Sequence, residues 1–342
     1  MTTPVLICDD SSVARKQMAR TLPADWDIEV SFATNGREAL KAINKGLGDI
    51  MFLDLNMPVM DGYETLQNII KLNLDTMVIV VSGDIQPEAH KRVKDLGAIE
   101  FIKKPTSPEA LVELLEEFGL YTPASKRQKE ISNTAPAKKE VKGDSGKIEY
   151  RDCIQEIANV AMGQAADLHA RLLKVFVKLP IPNVNLIDFG ELEMALSAAN
   201  QGHTYTAVCQ GFIGGGISGE ALLLFNDASY TDMANLLNYQ GDVDATAELE
   251  LVMECASILG GACINGIAEQ LNIMFSQSHP QVLGQNLSHN NLLHKSNAQW
   301  KQTLAVEILY EIENHNISCD LLLLFTEDSL DKLYQRLDYM MN

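Results

Sequence analysis

From residue 4 to residue 120 the chain alternates short apolar runs with amphipathic stretches. The runs predict strands at 4–9, 27–33, 49–54, 77–82 and 99–103. The helical periodicity between them predicts helices at 11–22, 35–46, 61–73, 86–96 and 108–118. Strands that alternate with helices imply βαβ units and a parallel sheet. The runs are nearly continuous in Val, Ile and Met, as expected of strands covered on both faces.

The pattern stops at residue 122. Residues 122–147 (TPASKRQKEISNTAPAKKEVKGDSGK) carry Pro, Ser, Ala and many Lys with almost no large apolar side chains, which reads as a flexible basic linker. Residues 148–342 resume with a different layout. Two long helical segments, 148–178 and 245–272, are each followed by β-type runs and a shorter helix. The halves 148–244 and 245–342 resemble each other: EIANVAMG (156–163) aligns with ECASILGG (254–261) at an offset of 98, and LLLFNDAS (222–229) with LLLFTEDS (322–329) at an offset of 100. An internal duplication follows, with a two-residue loop difference between the copies. The expected fold class is α/β: a doubly wound, five-stranded parallel sheet over 1–121, then an α+β, pseudo-duplicated domain.

Composition narrows the function. A formal net charge of −19 argues against general nucleic-acid or membrane-surface binding. No apolar stretch is expected to reach the length of a membrane span, and the first residues lack the layout of a signal peptide. The six cysteines form no C-x-x-C pair and sit mostly in apolar segments, as in a cytoplasmic protein with reduced core thiols.

Ligands of an open parallel sheet bind beyond the carboxyl ends of its strands. There the predicted strands place Asp9 and Asp10 (in VLICDD), Asp54 (in LDLNMPVMDG), Ser82 (in VVSGD) and Lys104 (in FIKKP). Three carboxylates at about 5 Å repel, each pair costing roughly 3 kcal/mol at an effective dielectric near 20. A hard cation offsets this, and Mg²⁺ needs only two carboxylates, a carbonyl and waters. Asp54 is then placed as a nucleophile able to form an acyl phosphate. This arrangement closely resembles the CheY-like receiver domain of two-component response regulators. The resemblance implies Asp54 as phospho-acceptor, Asp10, Asp54 and the Asn56 carbonyl as Mg²⁺ ligands, and Asp9 assisting through water. It also implies Ser82 and Lys104 on phosphoryl oxygens, Phe101 as switch aromatic, a cis Lys104–Pro105 peptide, and a histidine kinase as phosphodonor.

A second constellation lies on the first long helix. Asp152, Glu156, Asn159 and Gly163 recur at one-face spacing, with Ile154, Ile157, Ala161, Ala165 and Leu168 opposite as a core stripe. The polar stripe is expected to face outward. The second copy carries Glu250, Glu254, Ser257 and Gly261, and Pro182 and Pro280 follow at matched distances. The set Asp152, Glu156, Asn159, Pro182 looks like the signature of the CheC/CheX/FliY chemotaxis phosphatases. That resemblance implies hydrolysis of a receiver acyl phosphate, with Asn159 orienting water and Glu156 docking the receiver lysine. Glu254 and Ser257 would form a degenerate second site, since a serine has no amide. GFIGGGISGEALLLF carries no G-K-[ST] and reads as a turn. The leading expectation is an enzyme, a phospho-receiver phosphatase fused to a receiver, with a phosphorylated CheY-like receiver as substrate. The alternative is a phosphorylation-switched, non-catalytic module binding a receiver or flagellar partner. Homodimerisation is left open.

Overall fold

The computed structural model describes residues 2–123, 140–141, 150–188, 204–241, 244–287 and 302–341. They fall into two units, Met1–Asp152 and Cys153–Asn342. In the first, β1 (Thr3–Cys8), β2 (Ile28–Ala33), β3 (Ile50–Leu53), β4 (Met77–Ser82) and β5 (Glu100–Lys103) alternate with α1 (Ser12–Thr21), α2 (Gly36–Ile43), α3 (Gly62–Lys71), α4 (Pro87–Asp95) and α5 (Pro108–Glu117). The strands pair in parallel in the order β5-β4-β3-β1-β2. Alternate residues of β1 serve two cores. Val5 and Ile7 pack with Leu111 and Leu115, whereas Leu6 and Cys8 pack with Leu53, Leu66 and Val93. That double coverage is why the run carries no polar alternation. A two-residue strand, β6 (Glu140–Val141), adds to the free edge of β2. An edge strand presents unpaired backbone groups, so it accepts even so short a partner. The remainder of the expected linker, apart from residues 122–123, lies outside the described residues.

The second unit runs α6 (Tyr150–Leu173), β7 (Val177–Lys178), β8 (Asn183–Asp188), β9 (Tyr205–Gly214), β10 (Ile217–Asn226), α7 (Tyr230–Leu236), then α8 (Ala245–Gln270), β11 (Ser276–Gln277), β12 (Gln281–Leu287), β13 (Gln302–Ile312), β14 (Ser318–Phe325) and α9 (Leu330–Met341). The same order of elements thus occurs twice. The hairpins β9–β10 and β13–β14 join through β10 and β14, with Leu222 opposite Leu322. Those two leucines are matched residues of the repeat, so a pseudo-two-fold axis passes beside them. Each half lends its short strands to the other's hairpin: β8 pairs β13 with Asn183 opposite Glu307, and β12 pairs β9 with Gln281 opposite Cys209. Both of these pairs are related by the offset of 98. The change to 100 is absorbed in the hairpin loops. Gly215 and Gly216 make a two-residue turn with φ of 60° and 80°, the backbone a tight primed hairpin turn requires. The other loop closes with the Ile312 N–H donating to the Ile317 carbonyl at 3.1 Å, leaving four residues between.

Two expectations need correction. The first long helix ends at Leu173, not 178, because Val177–Lys178 is already a strand on β13; Lys174, with φ of 56°, breaks the helix. The expectation that no stretch reaches membrane-span length fails for α8, which is long and apolar enough by length and composition. The reason is packing. Leu251, Val252, Cys255, Leu259, Cys263 and Ile264 are buried on it, and a helix enclosed on most sides is apolar on most sides. All six cysteines are free thiols.

Two predictions follow from this packing. A Cβ on Gly266 of α8 would lie 2.8 Å from Ala161 Cα and 2.9 Å from Ala161 Cβ of α6, whereas one on Gly261 meets nothing closer than 3.6 Å. Gly266→Ala will lower stability by about 1–3 kcal/mol in denaturant titration, while Gly261→Ala will leave it unchanged or raise it by about 0.5–1 kcal/mol. Secondly, burial, then the charges of Glu307 and Glu311, push the Asp320 carboxyl from 3.8 up to about 6. The folded state therefore holds this proton more tightly than the unfolded chain. Stability falls as pH rises from about 4 to 6 and stays lowered above. Asp320→Asn will raise stability by about 1–3 kcal/mol at pH 8, and the gain will vanish near pH 4 in pH-resolved melts.

Candidate functional site

At the carboxyl end of β1 the chain turns sharply, and short polar contacts fix the turn. The Ser11 N–H donates to Asp9 Oδ1 at 2.8 Å, and the Arg15 guanidinium donates to the carbonyls of Asp9 and Asp10 at 2.8 and 3.0 Å. At the end of β3 the Asn56 N–H donates to Asp54 Oδ2 at 2.8 Å. At the end of β5 the Lys104 ammonium reaches Asp9 Oδ2 at 2.7 Å and Asp54 Oδ1 at 3.0 Å. Asp9, Asp54 and Lys104 are 5%, 4% and 7% exposed, so one cation joins two carboxylates away from water. Lys103, its neighbour, is exposed, and the Lys104–Pro105 peptide is cis. Asp10 is half-buried beside this triad.

The D-G of the Asp54 loop has a steric reason. The Asp61 carboxylate caps α3 by accepting from the Glu64 N–H at 2.7 Å. A Cβ on Gly62 would stand 2.4 Å from the Asp54 carbonyl oxygen, so only glycine lets α3 close over the end of β3. The acidic field is also felt beneath the site. Burial, then Asp9 and Asp54, push the Cys8 thiol up, and it donates to Met57 Sδ at 3.6 Å. Ser82 is fully buried and its hydroxyl accepts from the Asp84 N–H at 3.1 Å. Phe101 is buried and stacks on His90.

Arg15, Asp84, Gln86, His90 and Tyr63 escaped the sequence reading. Asp84 and Gln86 are buried polar residues next to the site, and the VVSGD run already hinted at Asp84. The Tyr63 hydroxyl is buried without a hydrogen-bond partner among the described residues, and burial, then Asp84, push it up. Nothing in the local pattern marks Tyr63 or His90. The available donors around Asp10, Asp54 and Asn56 are all hard oxygens, which fits a cation such as Mg²⁺. Among the described residues no cluster of three or more His, Cys, Asp or Glu ligands occurs, and a cation that keeps several waters does not need one.

On α6 the expected outward stripe is corrected. Glu156 and Asn159 are 8% and 7% exposed, and every residue from Glu156 to Gly163 is buried. Leu168, expected in the core, is 49% exposed. The middle of this helix is rich in Ala, Ile, Val and Met and is enclosed, and Glu156, Asn159, Asp167 and His169 are buried with it. Asn159 Oδ1 has no hydrogen-bond partner among the described residues. The matched face of α8 behaves otherwise. Glu250, Glu254 and Ser257 are exposed, and the Ser257 hydroxyl donates to the Met253 carbonyl one turn back at 2.7 Å. Pro182 is buried and Pro280 half-buried.

The response regulator receiver domain family matches residues 5–116. A protein-glutamate methylesterase/protein-glutamine glutaminase of Halalkalibacterium halodurans is 40% identical over 110 residues, which is 31% of this chain and 32% of that protein. The chain thus spans about a third of the length of that relative. Among solved structures, FliY of Thermotoga maritima is similar at 20% identity, covering 57% of this chain and 99% of that one, with a TM-score of 0.43. The chemotaxis protein CheY4 of Vibrio cholerae is similar at 32% identity, covering 34% of this chain and 98% of that one, with a TM-score of 0.32. The N-terminal unit, with its parallel βα sheet and its buried acids and lysine at the strand ends, is a CheY-like response regulator receiver domain.

Proposed function

We propose that Asp54 accepts a phosphoryl group and that the second unit hydrolyses receiver acyl phosphates, this chain's own or a partner's. The observation that carries the second half is Asn159. A buried amide oxygen with no partner among the described residues forfeits about 1–3 kcal/mol of desolvation, and a bound water in the reacting complex would recover it. In the matched position Ser257 has no amide and spends its one proton on its own helix, so it cannot both donate to and accept from a water as an amide does.

The phosphoryl chemistry divides between the two sites. An Asp54 oxygen forms a bond to phosphorus while the bond to the histidine nitrogen of a kinase donor breaks. Asp10, Asp54 and the Asn56 carbonyl would hold Mg²⁺, which when bound neutralises charge on the phosphoryl oxygens. Lys104, already on Asp54, stays as the counter-ion on a phosphoryl oxygen, with Ser82 donating to another. In hydrolysis a water oxygen bonds to phosphorus as the Asp54–phosphorus bond breaks, releasing inorganic phosphate and restoring the carboxylate. Asn159 orients that water by accepting its proton in a hydrogen bond, and the reaction asks for little more than such placement and charge neutralisation. Glu156 pairs with the lysine of the receiver being dephosphorylated and sets its register.

Full-length protein treated with Mg²⁺ and acetyl phosphate will take up one acyl phosphate, and Asp54→Asn will take up none, as read by phosphate stoichiometry. Asn159→Ala will lengthen the acyl-phosphate lifetime about 10²-fold, whereas Ser257→Ala will leave it unchanged. Adding the Asp54→Asn chain to phosphorylated Asn159→Ala chain supplies one acceptor and one intact phosphatase face on separate molecules; accelerated phosphate release there marks action in trans. A lifetime that neither Asn159→Ala nor the added chain alters would sink the phosphatase reading in favour of a non-catalytic, phosphorylation-switched binding module.

A further inference from the structure

The two copies in the second unit are controls for each other, and one buried pair of positions differs between them in kind. Met162 of α6 and Ile308 of β13 are fully buried. Their counterparts at the offset of 98 are Gly260 of α8 and Gln210 of β9. Gln210 is 6% exposed, and a Cβ on Gly260 would stand 3.1 Å from its Oε1, so the glycine is what admits the amide. That oxygen is buried and has no hydrogen-bond partner among the described residues. Such an acceptor loses its water without a replacement, and departures of this kind from an apolar contact gather at functional sites. The other end of the amide holds a loop. Gln210 Nε2 donates to Gln277 Oε1 and to the Ser278 carbonyl, both at 3.1 Å, and Gln277 Nε2 donates in turn to Asn265 Oδ1 at 2.7 Å. Each donation polarises the next amide, and the chain ends on Asn265, which is exposed on α8. The counterparts of Gln277 and Asn265 are Leu179 and Asp167, so neither amide occurs in the other copy. Asn265 lies one turn beyond Gly261 on the face that carries Glu250, Glu254 and Ser257. A Cβ on Gly261 would meet only Gln277 Oε1, at 3.6 Å. Glu250 and Glu254 are exposed and form no ion pair among the described residues. The face thus offers carboxylates at one end, bare backbone in the middle and an amide at the other.

We propose that this face of α8 docks the phosphorylated receiver of another molecule and holds it without hydrolysing it. The proposal rests on the docking of a receiver against the matched face of α6, and deepens that reading by giving the second copy a separate task. Charge complementarity selects the occupant: Glu254 is the counterpart of Glu156 and pairs with the same receiver lysine. Gly261 lets the backbone of the docked receiver approach the helix, and the Asn265 amide donates to a carbonyl of that backbone. Ser257, the counterpart of Asn159, has no amide to place a water, so the acyl phosphate held here stays intact. Gln210 is the positioning residue. It acts through Gln277, which it fixes across Gly261 and against Asn265. A receiver on α8 is withheld from Asn159, so the two faces compete for one substrate.

The test is single-turnover kinetics with full-length chains. Phosphorylated Asn159→Ala chain is the substrate, an excess of Asp54→Asn chain is the phosphatase, and phosphate release is followed as the phosphatase concentration is raised. Unproductive docking on α8 lowers the plateau rate and the half-saturating concentration by one common factor, and leaves the initial slope alone. Adding Gly261→Leu to the phosphatase chain blocks the face, and adding Gln210→Ile restores the residue of the other copy and releases Gln277. Each is expected to raise the plateau about twofold, the value for two faces of equal affinity, and the half-saturating concentration by the same factor at unchanged slope. A merely structural role for Gln210 would instead lower the slope. A plateau and half-saturation within about 20% of the parent in both variants, or a slope that falls with them, would overturn the proposal. Failure of the Asp54→Asn chain to release any phosphate is a separate result. It removes the phosphatase reading, and this proposal falls with it.

Discussion

The receiver unit is organised around one ammonium group. Lys104 lies between Asp9 and Asp54, all three withdrawn from water, so the carboxyl ends of β1, β3 and β5 are joined by a single cation. Taking ions out of water costs several kcal/mol each, and the arrangement holds only because the remaining lone pairs are used. Asp9 accepts from the Ser11 N–H and Asp54 from the Asn56 N–H. The loops after β1 and β3 are thus shaped by the carboxylates as much as the carboxylates are placed by the loops. Gly62 completes the arrangement by letting α3 close against the Asp54 carbonyl. The charges gathered at the strand ends are also what fixes the geometry there.

The second unit solves a different problem. A duplicated helix-and-hairpin element has an apolar sheet and free strand edges. The two copies answer both by exchanging their short strands, β8 onto β13 and β12 onto β9, about an axis beside Leu222 and Leu322. The symmetry is one of backbone, and the chemistry has diverged from it. On α6 Asn159 is buried with an oxygen that has no hydrogen-bond partner among the described residues, while on α8 Ser257 is exposed and bonded to its own helix. Cys209 in one copy stands where Glu307 stands in the other, and Glu307 helps to push Asp320 up to about 6. Duplication supplied two equivalent scaffolds, and single side chains made them unequal.

Much of the frame was legible in the chain itself. In residues 1–121 the apolar runs, the helical periods and the acids closing the first and third runs placed every strand and helix to within a few residues, because local pattern and tertiary demand coincide when strands are buried on both faces. The D-G and K-P pairs marked backbone needs that glycine and proline meet by themselves. The repeat offsets of 98 and 100 likewise carried the doubled element order, since a loop difference leaves matched segments in register. What the pattern could not carry was anything set by which element packs on which. Helical spacing put Glu156 and Asn159 on one face but not inside, and it put Leu168 on the opposite face but not outside. The apolar length of α8 is the same whether a membrane or a protein core surrounds it, and only its packing against Ala161 and the sheet shows the core. His90 and Gln86 are unremarkable letters in a helix start; stacking on Phe101 and bonding to Asp84 are relations across β4, α4 and β5. Sequence determined the backbone periods and the residue types at the strand ends, because those are local. Burial, ion pairing and the inequality of the two halves were decided by the tertiary structure, because each depends on side chains brought together from distant parts of the chain.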